Sequence, residues 1–303
     1  MKTKNKILVA LDFEEQAMIA LQYAAYYADL LDYDLEVITI VEESNIISKL
    51  FSKDELVVKL NQGIKEKVDH AIAPYVKKVK INSTIEYGKP YEKIEEFANR
   101  IKPCFIFMGK SEISKRNQAL LGSNSMHVIL ESSFPVVTIR GNYDFETYTK
   151  EHKEILVPLD LKKGIAEQIT AAIEIAQLLN APIRLLSIQT SGGKGREAKM
   201  LTQIAQTKKT VVDAGISCIA EIITSTAKPV TELICDEALK YKVSLIVIMT
   251  RAENKITELI IGSKASDIIN KSNIPVLSVK PWDLESGSDI FSLIFDPLNI
   301  INK

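Results

Sequence analysis

Three places in the chain combine residue types that can hold a charged ligand. Asp12 ends the apolar run KILVAL, Met108 and Gly109 end the run CFIFMG, and Gly122-Ser123 opens SNSMHVILE, a stretch with helical spacing. A glycine at such a turn lets the backbone approach a phosphate, and the exposed amides and dipole of a helix start favour an anion. A weaker set recurs later as Pro158 and Asp160 after ILV, then Met249-Thr250, then Gly262-Ser263. Each has a plainer role as well. A strand-end Asp caps the turn or helix that follows it, and a glycine can simply open a helix.

Other chemistries find no support. His70, His127 and His152 form no metal-binding spacing, and no Cys/His cluster exists for zinc. Cys104, Cys218 and Cys235 are widely separated inside apolar runs, which reads as small buried hydrophobes in a reducing compartment. The segment TSGGKGREAK from Thr190 invites comparison with a phosphate loop, but Ile188 and Gly195 stand where that motif needs Gly and Ser or Thr. It reads as a surface connector. No nucleophile elbow, triad or assignable carboxylate pair appears, so a binder rather than an enzyme is expected.

With 38 Lys and Arg against 39 Asp and Glu among 303 residues, the chain has no basic footprint for nucleic acid. No apolar run approaches the roughly 18 residues of a membrane span, and the N-terminus lacks a signal-peptide pattern, so a cytoplasmic location is expected.

The elements that must position these residues occur twice. KILVALDFEEQAMIALQYAAYYADLL from Lys6 returns as EILVPLDLKKGIAEQITAAIEIAQLL from Glu154, 148 residues on; LLGSNSMHVILESSFPVVTIR from Leu120 returns as IIGSKASDIINKSNIPVLSVK from Ile260, 140 residues on. Between them GKPYEKIEEFANRIKPCFIFMG pairs with AKPVTELICDEALKYKVSLIVIMT. Strands are predicted near 6–11, 35–41, 80–87, 104–108 and 135–139, and again near 154–159, 183–188, 219–224, 244–249 and 275–279. These runs are continuously apolar, as strands covered on both faces should be, and they alternate with helices. The fold class is therefore α/β, with two tandem doubly wound parallel five-stranded sheets flanked by helices. The domains are 1–142 and 154–282, joined by a polar linker over 143–153 and followed by an apolar tail over 283–303, IFSLIFDPLNII at its heart. That tail is expected to dock on the protein or its mate.

In such a sheet ligands bind beyond the carboxyl ends of the strands, where strand order reverses. Here the first copy resembles the universal stress protein family, whose loop reads G-x-x-G-x9-G-[ST]. Gly109, Lys110, Ser111 and Glu112 open it, nine residues follow, and Gly122-Ser123 closes it, Glu112 replacing the second glycine. The likeness extends from about Lys6 to Lys280 and includes the Asp after strand one. It implies a Rossmann-like fold of the adenine nucleotide alpha hydrolase type and a site for ATP, with or without magnesium.

By that resemblance Ala10, Asp12 and Val41 would face adenine and ribose, while Met108, Gly109, Gly122, Ser123 and the amide of Asn124 would hold phosphates. Glu112 weakens the site by stiffening the loop and repelling phosphate, unless Lys110, Lys115 and Arg116 offset it. In the second copy Pro158, Asp160, Gly262 and Ser263 survive, but the first two loop glycines are gone, so binding is expected mainly in the first copy. The resemblance also implies an intramolecular pseudo-dimer, or a homodimer, through the fifth strands, and a protein partner that reads nucleotide occupancy. A nucleotide-free interaction module is the alternative.

Overall fold

The computed structural model describes residues 4–42, 54–110, 123–141, 145–151, 153–160, 165–190, 194–225, 227–250 and 262–280. Glu112, Lys115, Arg116, Gly122, residues 191–193 and the apolar tail lie outside them. The chain divides into two compact units, residues 1–139 and 140–303.

In the first unit β1 (Lys6–Ala10), α1 (Glu15–Leu31), β2 (Asp34–Val41), α2 (Asp54–Ile72), β3 (Ile81–Tyr87), α3 (Pro90–Ile101), β4 (Phe105–Gly109), α4 (Ser123–Glu131) and β5 (Val136–Ile139) follow one another. The strands are all parallel, in the order β3-β2-β1-β4-β5. Ile7, Leu8 and Val9 of β1 are fully buried, which is why that run is apolar at every position and not at alternate ones. On α1, Ala17, Ala20, Leu21, Ala24, Ala25 and Ala28 form the buried stripe that lays the helix on the sheet.

The second unit repeats this order after a short helix, α5 (Phe145–Glu151): β6 (Ile155–Leu159), α6 (Ile165–Leu179), β7 (Ile183–Gln189), α7 (Lys194–Asp213), β8 (Cys218–Thr224), α8 (Val230–Lys240), β9 (Leu245–Met249), α9 (Ser263–Lys271) and β10 (Val276–Val279). Its strand order is β8-β7-β6-β9-β10. The repetition reaches single dihedrals. Asp32 and Asn180, 148 apart, end α1 and α6 with φ of 55° and 49°, and Lys102 and Lys242, 140 apart, follow α3 and α8 with φ of 49° and 50°.

Two segments differ from the sequence reading. Residues 145–151, within the stretch read as a linker, form α5, whose Tyr148 is 1% exposed and donates its hydroxyl proton to the Ser244 carbonyl. The segment from Lys194, read as part of a surface connector, already belongs to α7, because Ile204, Thr207 and Val211 recur at helical spacing and are buried. The three cysteines are buried and free, and burial pushes the Cys104 thiol up to about 12. Among the described residues no helix is long and apolar enough to cross a membrane.

Candidate functional site: the strand-end crevices

In both units strand order reverses between the first and fourth strands, so the crevice opens beyond β1 and β4, and beyond β6 and β9. In the first unit Ala10 lies beside Met108 on one side and Ile38 on the other. Met108 is buried, Ala10 and Gly109 are half-buried, and Val41 ends β2 with its carbonyl accepting from the Gly88 amide at 3.1 Å. Asp12 is exposed, and its Oδ1 accepts from the Glu14 amide at 2.9 Å. This is the turn-capping role. Ser123 opens α4, Asn124 is half-buried, and the Ser125 hydroxyl lies 3.5 Å from the Gly109 carbonyl. The structure thus gathers Ala10, Met108 and Gly109, with Ser125 beside them; Gly122 is outside the described residues. Lys110 is 4% exposed.

Gly109 has a reason to be glycine that involves no ligand. A Cβ there would lie 2.4 Å from the Ala17 nitrogen and the Gln16 carbonyl carbon and 2.5 Å from the Gln16 oxygen. The first turn of α1 rests directly on the end of β4.

The second unit is built differently at the same point. Strand register corrects the sequence alignment, which set Thr250 against Gly109. Gly109 pairs with Ile139 and the Lys110 amide donates to Ile139; Met249 pairs with Val279 and the Thr250 amide donates to Val279. Met249 therefore occupies the place of Gly109, and the thirteen positions to Gly262 match the thirteen from Gly109 to Gly122. The loop has lost glycines but no length. With a side chain at 249, α6 cannot approach β9 as α1 approaches β4.

A cavity of about 530 Å³ opens there, lined by Pro158, Leu159 and Asp160 from the end of β6, Leu186–Thr190 from β7, Ile248 and Met249 from β9, and side chains of α6 to α9. Val230, Ile234, Ile248 and Ile268 give it apolar walls, while Lys199 and Lys264 are the cations among its lining residues. Lys264, in the first turn of α9, pairs with Asp160 at 3.0 Å; both are more than half exposed, so the link is weak and exchangeable. Gly262 precedes α9 with φ of −52°, and Ser263 is exposed. The first unit's described cavity lies elsewhere, about 310 Å³ between α2 and β3.

Gln168 is the residue that the sequence reading missed. It is 8% exposed, lines the cavity, and its Nε2 donates to the Pro158 carbonyl at 3.0 Å and the Val247 carbonyl at 3.2 Å. In the first unit the β1–β4 ladder runs through Ala10↔Met108, but β6 and β9 pair only at Ile155↔Leu245 and Leu156↔Ile246. Since the amides of Ile246 and Thr250 point to β10, Val247 faces β6, and its carbonyl would accept from residue 158. Proline has no proton to give. The Gln168 amide supplies it, satisfying two carbonyls that would otherwise be buried unpaired. The signal was in the sequence: Gln168 takes the place of Ala20 within the apolar stripe of its helix.

Comparison with known proteins agrees with this architecture. The model of the universal stress protein family matches residues 4–140 and 151–280. A universal stress protein of Synechocystis sp. is 22% identical over 298 residues, spanning 91% of this chain and 100% of that protein. Another, from Methanocaldococcus jannaschii, is 28% identical over 154 residues, 45% of this chain and 94% of its own. The crystal structure of a universal stress protein from Archaeoglobus fulgidus superposes with a TM-score of 0.67 at 20% identity, covering 92% of this chain and 99% of that one. Two family matches in tandem over two copies of the same parallel sheet place this chain in the universal stress protein family.

Proposed function

We propose that this chain binds ATP or a related adenine nucleotide and passes its occupancy to a protein partner, without being an enzyme. The observation that carries the reading is the 530 Å³ cavity at the strand ends of the second unit, a volume suited to a small ligand. Its apolar walls would take the base, Asp160 would meet ribose hydroxyls, and Lys264 and Lys199 would meet phosphate. Lys264 stands one position beyond Ser263, where the first unit has Asn124, so a side-chain cation there compensates for the missing glycines. Among the described residues no cluster of acidic, His or Cys side chains would hold a metal ion, so any magnesium would be carried by the nucleotide's phosphates.

The site expected in the first unit, whose closing loop lies outside the described residues, is proposed as well. A second site in the first unit keeps one specific support besides its glycine loop: Thr39, the counterpart of the cavity-lining Ser187, is 4% exposed with no hydrogen-bond partner for its hydroxyl among the described residues. Titration calorimetry of the full chain with ATP tests the reading. Binding that weakens about tenfold or more in Lys264→Glu, from replacing a phosphate partner by a repelling charge, is the expected result. No heat at millimolar ATP refutes it. Phosphate release above background would refute the non-enzymatic part alone.

A further inference from the structure

Resting on the nucleotide reading of the second unit, we infer that Gln168 is the residue that selects the base there, through its side-chain carbonyl oxygen. The orientation of this amide is fixed by chemistry. Its nitrogen faces the carbonyls of Pro158 and Val247, at 3.0 and 3.2 Å, and two acceptors can be satisfied only by the NH2 end. Both amide protons are thus committed. Oε1 has no hydrogen-bond partner among the described residues, and Gln168 lines the cavity. The side chain is a fixed acceptor that cannot flip to become a donor.

Its depth determines what it meets. Pro158 and Val247 lie one and two residues inside the ends of β6 and β9, and Ile248 and Ile268 share the inner wall, whereas Lys264 is at the mouth, 62% exposed. A nucleotide with its phosphates toward Lys264 places its base toward Gln168. The 6-amino group of adenine donates to Oε1; the 6-oxo group of hypoxanthine would oppose one acceptor to another and leave both unpaired. The first unit has Ala20 at this position and has no such acceptor from its helix. The inserted proline therefore does more than interrupt a ladder, because it is what recruits and orients the reader.

The experiment compares ATP with ITP on the full chain, by calorimetry, for the natural protein and for the double variant Pro158→Ala/Gln168→Leu. The variant restores a backbone donor at 158, as at Ala10, for the Val247 carbonyl, so removal of the amide leaves only the carbonyl of residue 158 without the partner Gln168 gave it. The natural protein is expected to prefer ATP by about tenfold to a hundredfold, the loss expected from an unpaired buried acceptor. In the variant that preference should collapse to within about threefold, with ATP binding retained at lower affinity. Equal binding of ATP and ITP by the natural protein overturns the inference, and this arm depends on no variant folding. So does a variant that keeps the natural preference. Absence of binding by either nucleotide overturns the nucleotide reading itself, so the two failures are distinct.

Discussion

Gly109→Ala separates the two reasons for a glycine at the end of β4. The new Cβ would sit 2.4 Å from the Ala17 nitrogen, and ordinary contact begins near 3.4 Å. The first turn of α1 must then retreat by about 1 Å, and the obstacle is helix backbone, which cannot swing aside as a side chain would. Overpacking of this kind costs about 1–3 kcal/mol, of which alanine returns about 0.5 kcal/mol by stiffening the unfolded chain. The net loss is about 0.5–2.5 kcal/mol. At roughly 2–4 °C per kcal/mol for a unit of this size, the first unit's melting midpoint falls by about 1–10 °C. Hydrogen exchange resolves the units by peptide: α1 and β4 should lose protection in the variant while β6 to β10 keep theirs. The control, Met249→Ala, removes part of a half-buried side chain from a site that already accommodates a Cβ, and should cost only about 1 kcal/mol. Unchanged protection of α1 in Gly109→Ala, accompanied by weaker ATP binding, would refute the packing argument and return this glycine to the phosphates.

Arg184 is 7% exposed, bonded to Glu154 at 2.8 Å and Glu221 at 2.9 Å, and stacked 3.7 Å over the Tyr241 ring, so Arg184→Ala strands two part-buried carboxylates. Urea unfolding of the second unit should show a loss of about 2–4 kcal/mol, with Arg184→Lys intermediate because lysine lacks the planar fork. Tyr148→Phe removes the hydroxyl that binds the Ser244 carbonyl and should lower the same unit's stability by about 1 kcal/mol, read from the urea midpoint. Burial raises the Cys104 thiol to about 12, above its unfolded value near 9, so it stays neutral in the fold while the unfolded chain ionises. Its contribution is full below pH 9 and is lost as pH rises toward 12. By pH 10 this amounts to about 1 kcal/mol, which Cys104→Ala should abolish in a pH series of urea midpoints.

The fold was legible because its signals are local and repeated. Each of the ten strands begins and ends within about a residue of its predicted range. The inner strands read as apolar runs because they are covered on both faces, whereas the edge strands β3, INSTIEY, and β8, CIAEIIT, carry exposed polar residues. The crevice was legible too, as a consequence of strand order. What the sequence obscured were pairwise compensations. Gly109 reads as a ligand glycine, and its packing reason shows only when α1 is placed upon it; Met249 reads as a missing glycine until register shows that the loop kept its length. Gln168 was missed, because the proline it serves is ten positions away on another element. The short linker helix escaped notice since its buried Tyr148 finds its partner 96 residues further on.

The two units amount to an internal experiment on one scaffold. One keeps Ala10, Ala20 and Gly109, with an unbroken ladder and a helix resting on the strand end; the other has Pro158, Gln168 and Met249 at the same three places. The second set is coherent only as a set. Proline alone would orphan the Val247 carbonyl, Gln168 alone would bury an amide beside a complete ladder, and a side chain at 249 alone would strike the helix backbone. Transferring single residues between the units should therefore destabilise either one, whereas moving all three together should not, the hallmark of residues that couple rather than add. A duplicated chain can take such a path because one copy can hold one solution while the other changes, and the second unit has a cavity with Gln168 in its wall. Loss of the glycine signature in the second copy is on this argument a rebuilding of the site in side chains rather than its decay.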